Sequence, residues 1–148
     1  TTLARGIAAG LGVRGPVQSP TFVIARTHPS LVGGAPLVHV DAYRLSSAEE
    51  LDDLDLEFSL PRSVTVIEWG RDKAEHLSDS RLELDFTRLT GADARFAYSG
   101  SEEFSWDDDE DESDEDADTP EPRLLRVRAF GPRWEHAFDA LKEALQSA

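Results

Sequence analysis

Two short apolar runs constrain what this chain can fold into. "LVHVD" at residues 37–41 and "SVTVIEWG" at 63–70 are rich in branched apolar residues, with alternation too weak for a strand that faces water on one side. Such runs suit strands buried on both faces of an α/β sheet, with helices packed against them. Each apolar run ends on a carboxylate, Asp41 in the first and Glu68 in the second. In an open α/β sheet the ligand site lies beyond the carboxyl ends of the strands. The two acids therefore mark where a site is expected.

The flanking segments fit that frame. "TTLARGIAAGLG" opens the chain with Leu3, Ile7 and Leu11 on one helical face and Gly12 at the helix stop. "GVRGPVQSPTF" reads as a loop, "TFVIART" as a strand and "HPSLVGGAP" as a turn. Ser47 followed by Glu50 is a capping-box signature, so "SSAEELDDLDL" opens a short helix. "RDKAEHL" fits a helical turn or two. "RLELDFT" and "ARFAYS" alternate and are expected to pair across "RLTGAD". "RLLRVRAF" resumes the strand pattern. The last helix, in "GPRWEHAFDALKEALQ", has Pro132 near its first position and Trp134, Ala137, Phe138, Leu141 and Leu145 as its apolar face. The expectation is an open, mostly parallel α/β sheet with flanking helices and an antiparallel C-terminal part.

The formal net charge of −15 belongs to one stretch. Glu102 to Glu121 holds 13 acidic residues and no lysine or arginine, and the remainder carries 17 acids against 15 bases. Such a segment cannot bury enough apolar surface to offset its ordering entropy and self-repulsion. The expected organisation is one domain, 1–98 plus 122–148, interrupted by an acidic, disordered insert at 99–121. Phe104 and Trp106 at its start would be apolar anchors if it tethers a basic partner. Its charge opposes direct RNA binding, since phosphate affinity rests on Lys and Arg.

Composition excludes several chemistries. Zero cysteines rule out disulfides and thiolate metal sites. His28, His39, His76 and His136 lack the close spacing of a metal pair and read as structural or surface residues. No apolar run approaches the roughly 18 residues of a membrane span, and no signal segment opens the chain. A soluble, cytoplasmic protein without membrane contact is expected.

Carboxylates just beyond buried strands are poorly solvated unless they meet a cation, a water or a donor. Mg²⁺ alongside phosphates is one natural partner, and capping of the next turn is the other reading. Thr1-Thr2 at a helix start is a common cap, yet it also resembles the end of a G-x-x-x-x-G-K-[ST] phosphate loop that runs into a helix.

"TTLARGIAAGLGV", "SPTFVI", "HVDAYRL" and "VIEWG" stand in the same order and at similar spacing as in the bacterial TsaE (YjeE) family, which the chain resembles over about residues 1–90. The terminal strand and helix match more loosely. The resemblance implies a P-loop NTPase-like fold and a small ATPase, using ATP and Mg²⁺, that serves threonylcarbamoyladenosine formation in tRNA. It implies TsaD-like and TsaB-like partners, with tRNA reached only indirectly. In the family a G-x-x-G-x-G-K loop precedes the first helix. This sequence does not contain it, so the expectation is a chain that starts after a strand and most of the loop, with impaired ATP use on its own.

The family's roles fall on particular residues. Thr1 matches the P-loop hydroxyl residue and would be a Mg²⁺ ligand, with Thr2 beside it. Asp41 matches an acid that holds Mg²⁺ directly or through water. Glu68 matches an acid needed for hydrolysis, orienting the attacking water or joining the metal site. Trp69 matches an aromatic beside the site. Ser19, Pro20 and Thr21 match a mobile loop that closes over the γ-phosphate, although read alone they form a turn. Arg133 and Trp134 could reach the nucleotide from the last helix. Two alternatives stand beside the ATPase: a non-catalytic interaction module docking through its acidic insert, and a small-molecule P-loop kinase with Asp41 as base.

Overall fold

The computed structural model describes residues 1–20, 22–88 and 123–146. The expected acidic insert, Thr21 and "ARFAYS" lie outside the described residues. The chain divides into two compact units, Thr1–Asp79 and Ser80–Ala148.

The first unit is built on a three-stranded sheet in the order β1-β2-β3, formed by β1 (Ala25–His28), β2 (Leu37–Asp41) and β3 (Val64–Glu68). β2 runs antiparallel to β1 and parallel to β3. The expected α/β mixture is present. The expected mostly parallel sheet is corrected to one parallel and one antiparallel pair among the described residues. Chain connectivity explains the mixture: "HPSLVGGAP" is short enough to reverse the chain between β1 and β2, whereas a parallel pair needs a long crossover. Residues 42–63 supply that crossover and contain α2 (Ala48–Asp52).

Every residue of β2 is buried, as its apolar run requires. Val38 and Val40 pack on one face with Ala42, Leu45, Leu51 and Leu56. Leu37 points to the other face, where it meets Ala4, Ala8 and Val17, flanked by Val64 and Val66 of β3. The helix on that face is α1 (Thr2–Leu11). Its buried centre is Ala4 and Ala8, while the expected stripe residues Leu3, Ile7 and Leu11 are half-buried at its flanks. Small side chains at the centre let the helix lie close against β2, and the larger ones seal the sides.

Gly12 ends α1 in the left-handed conformation, at φ 62° and ψ 44°. Its N–H donates to the Ala9 carbonyl, and that of Val13 to the Ala8 carbonyl, each at 3.2 Å. This is a Schellman-type close that satisfies carbonyls the helix leaves open. A Cβ at Gly12 would lie 2.9 Å from Val32 Cγ2.

Two local readings need correction. The strand expected at "TFVIART" begins only at Ala25. The N–H groups of Val23 and Ile24 both donate to the Pro20 carbonyl, which folds this stretch into a turn and puts Ile24 at φ 64°. Ser47 caps α2 as expected, accepting from the Glu50 N–H, but the Glu50 carboxylate returns to the N–H and hydroxyl of Ser46 rather than to Ser47.

The second unit holds an antiparallel pair, β4 (Arg81–Arg88) and β5 (Arg123–Phe130), followed by α3 (Trp134–Gln146). The register sets Leu82, Leu84 and Phe86 opposite Ala129, Val127 and Leu125, so one face is apolar. The other carries Arg128, which bonds Glu83 at 3.0 Å and Asp85 at 3.1 Å. Along α3, Trp134, Phe138 and Leu141 are half-buried, whereas Ala137 and Leu145 of the expected stripe are exposed. No described helix is long and apolar enough to cross a membrane.

Candidate functional site

Parallel pairing brings the two strand-end acids together. The β2–β3 register sets Leu37 opposite Val64, His39 opposite Val66 and Asp41 opposite Glu68. Since side chains alternate along a strand, all six lie on the face that α1 covers. The apolar members fill the floor beneath the helix, and the two acids stand at its open end.

Thr1 faces this end from the start of α1. It is the N-cap residue, yet its side chain makes no capping bond to its own helix. Its hydroxyl donates instead to Glu68 Oε2 at 3.4 Å, and its backbone nitrogen lies 2.8 Å from Glu68 Oε1. Intrahelical bonding begins with the Arg5 N–H on the Thr1 carbonyl, so the preceding amides point out of the helix N-terminus. The first turn carries no acidic residue. That end of the helix is electrostatically suited to an anion.

Asp41 is buried and held from two directions. Ser19 Oγ donates to Oδ2 at 3.0 Å, and the Tyr43 N–H donates to Oδ1 at 3.1 Å. The turn-capping role open in the sequence is thus fulfilled by one oxygen, while the other links β2 to the Ser19 loop. Glu68 is less enclosed, with a side chain 22% exposed. His39 Nε2 donates to its Oε1 at 2.7 Å. Burial pushes the Glu68 carboxyl up, but hydrogen bonds from Thr1, when its nitrogen is a free amino group, and from His39 outweigh it and hold the carboxyl below its ordinary value.

Beyond the strand ends stand two exposed aromatics. Trp69 follows Glu68 directly with φ 61°, a rare backbone state for a bulky residue. Its ring meets that of Tyr43 edge-on, with centroids 5.2 Å apart. Arg44 lies over the Phe22 ring at 5.3 Å.

The structure therefore gathers Thr1, Ser19, Asp41 and Glu68, with Trp69 adjacent. Thr2 is exposed as the first residue of α1. Arg133 lies in the second unit, where its N–H donates to Ser80 Oγ at 3.3 Å. Sequence reasoning missed His39, which it classed with ordinary histidines. The available signal was position: His39 precedes Asp41 by two residues in a strand, which puts both on one face.

The donor set fits a hard cation beside phosphates. Asp41, Glu68 and the Thr1 hydroxyl are oxygen donors, and Mg²⁺ binds through one or two carboxylates while keeping waters and phosphate oxygens. Among the described residues no group of three His, Cys, Asp or Glu side chains could hold a metal ion. An all-protein cage is therefore not formed by them, and waters or phosphate oxygens would complete the shell.

A family model described as threonylcarbamoyl adenosine biosynthesis protein TsaE matches residues 1–96. With that match over more than half its length, the chain belongs to the TsaE family. The "tRNA threonylcarbamoyladenosine biosynthesis protein TsaE" of Streptomyces coelicolor is 62% identical over 92 residues, which cover 62% of this chain and 62% of that protein. The Mycobacterium bovis protein of the same name is 47% identical over 104 residues, or 66% of this chain and 62% of its own length. That of Bacillus subtilis is 38% identical over 96 residues, covering 64% and 58%. The chain spans less than two thirds of the length of these relatives.

Proposed function

We propose that this chain carries part of the nucleotide site of a Mg²⁺-dependent P-loop ATPase acting in tRNA threonylcarbamoyladenosine biosynthesis. One observation carries the reading: Asp41 and Glu68 stand side by side in parallel register at the start of α1, with the Thr1 hydroxyl turned toward Glu68. The names borne by the relatives supply the pathway. The fold assignment rests on the parallel β2–β3 pair, the helix on its face and the acids at the strand ends. Those features accord with the TsaE resemblance.

On this reading, the start of α1 receives phosphate oxygens through its outward N–H groups. Asp41 and the Thr1 hydroxyl hold Mg²⁺, which neutralises phosphate charge when bound. Glu68 orients water toward the phosphate. The Ser19 loop is tied to Asp41 through its hydroxyl, so occupancy of the metal site is read by that loop. Trp69 borders the nucleotide, and Thr2 is a secondary contact. The protein works in the cytoplasm on a complex of TsaD-like and TsaB-like partners, and reaches tRNA only through them.

Calorimetry of Mg-ATP binding and a phosphate-release assay on the full-length protein test this. Asp41→Ala should weaken Mg²⁺-dependent binding. Glu68→Ala should leave binding in place and slow hydrolysis by roughly 100-fold or more. Absence of Mg-ATP binding by the wild-type protein would overturn the ATPase and favour the interaction module.

A further inference from the structure

His39 sits where an apolar residue would be expected. Its neighbours along the α1 face of β2 and β3 are Leu37, Val64 and Val66, all packed with the helix. The residue is 0% exposed. Burying an imidazole in such a place costs free energy unless its nitrogens are bonded. Only half of that cost is offset: Nε2 reaches Glu68 Oε1 at 2.7 Å, while Nδ1 is buried with no hydrogen-bond partner in the structure. A leucine would fill the floor without leaving a buried nitrogen unpaired. Packing alone therefore does not account for a histidine here.

The single bond fixes the ring's role. An ionised carboxylate only accepts, so Nε2 is the donor, and in a neutral ring Nδ1 is then the bare acceptor. The ring approaches diagonally, because His39 is opposite Val66 and Glu68 is one pleat further on, opposite Asp41. Walled in on all sides, the ring is held where it stands. It engages Oε1, the oxygen that also meets the Thr1 backbone nitrogen. Oε2 has the looser partner, the Thr1 hydroxyl at 3.4 Å.

We propose that His39 is a positioning residue for Glu68: its buried Nε2–H pins Oε1, and Oε2 is thereby the oxygen presented to water at the strand ends. The catalytic consequence rests on the proposed role of Glu68 in ATP hydrolysis; the pinned geometry does not.

Two measurements on the full-length protein separate these claims. In ATP hydrolysis, His39→Leu removes the donor while keeping bulk, and His39→Gln keeps an amide N–H near the Nε2 position. His39→Leu should lower kcat by about 10- to 100-fold, as loss of a supporting hydrogen bond does at metal sites. KM for ATP should stay within about threefold, the pattern of an interaction that matters in the transition state. His39→Gln should recover most of the rate. A kcat unchanged in His39→Leu, or a His39→Gln variant as slow as His39→Leu, overturns the positioning role.

The second measurement needs neither nucleotide nor substitution at position 39. Nitrogen-15 NMR of the histidine rings should show His39 as the Nε2–H tautomer with a slowly exchanging proton, displaced in Glu68→Ala. An Nδ1–H tautomer, or a ring signal indifferent to Glu68→Ala, overturns the proposal even if the rate data agree. A wild-type protein without ATP turnover overturns the ATPase reading instead, and the ring spectrum then decides the pinned geometry by itself.

Discussion

β2 and β4 are both strands rich in apolar residues, yet they live in different physical settings. Every residue of β2 is buried, whereas no residue of β4 or of its partner β5 is. β2 is central in its sheet, covered by α1 on one face and by the 42–56 region on the other. Among the described residues β4 pairs with β5 alone, and its Leu84 and Phe86 are 37% and 53% exposed. The carboxylates differ in their partners. Asp41 and Glu68 meet donors on buried or anchored elements at the mouth of a covered sheet, while Glu83 and Asp85, about as enclosed as Glu68, meet Arg128, whose side chain is 47% exposed. A carboxylate acquires chemical leverage where its donors are fixed, and little where they are free to move. The difference accounts for the candidate site lying in the first unit.

Truncation experiments would break this comparison most forcefully. Leu37→Ala removes a fully buried side chain between α1 and β3 and should cost about 2–5 kcal/mol in chemical denaturation. Leu84→Ala, on the exposed ladder, should cost about 1 kcal/mol. Equal losses would mean that the ladder is as tightly packed as the sheet.

Gly12→Ala tests how firmly α1 is held over the site. The left-handed backbone and the approach of Val32 both oppose a Cβ. The expected loss is about 1–3 kcal/mol, read as a lower denaturation midpoint. A neutral result would show that the loop carrying Val32 yields freely.

Acid titration of stability tests the carboxylate held by fixed donors at the sheet end. With Thr1 carrying a free amino group, the Glu68 carboxyl is held below its ordinary value near 4.5, so the folded state binds fewer protons than the unfolded chain in that range. Its contribution is fully present above that ordinary value and is lost as pH falls through the lower folded one. The stability gap between wild type and Glu68→Gln should therefore shrink on acidification. A gap that widens would reverse the sign. The smallest effect belongs to Arg128→Ala, about 0.5 kcal/mol or less and reduced further by salt, despite its two ion pairs.

Local patterns are legible in the sequence itself. The run at 37–41 announced a buried strand, Gly12 announced the end of α1, and Ser47 announced the start of α2. The run at 64–68 also forms a strand, but every residue of it is half-buried, because β3 pairs on one side only among the described residues. These signals depend on side-chain type and near-neighbour spacing. The "TFVIART" reading failed at its first half because Val23 and Ile24 bond back to Pro20, and strand propensity does not register such a turn. The centre of α1 shifted from Leu3 and Ile7 to Ala4 and Ala8 for a related reason: hydrophobicity selects the large residues, but close approach to β2 selects the small ones.

The sequence by itself determined that this chain has apolar strands ending in acids, the one at Asp41 buried, and a helix that includes its first residues. It also determined membership of the TsaE family, because the motifs and their order are written in the chain. Only the tertiary structure decided that Asp41 and Glu68 are register partners, that Ser19 reaches one acid and Thr1 the other, and that His39 stands under Glu68. Register between strands separated by more than twenty residues is fixed by how α1 and the 42–63 crossover pack on the sheet. That packing is a property of the whole fold, and no local stretch of sequence contains it.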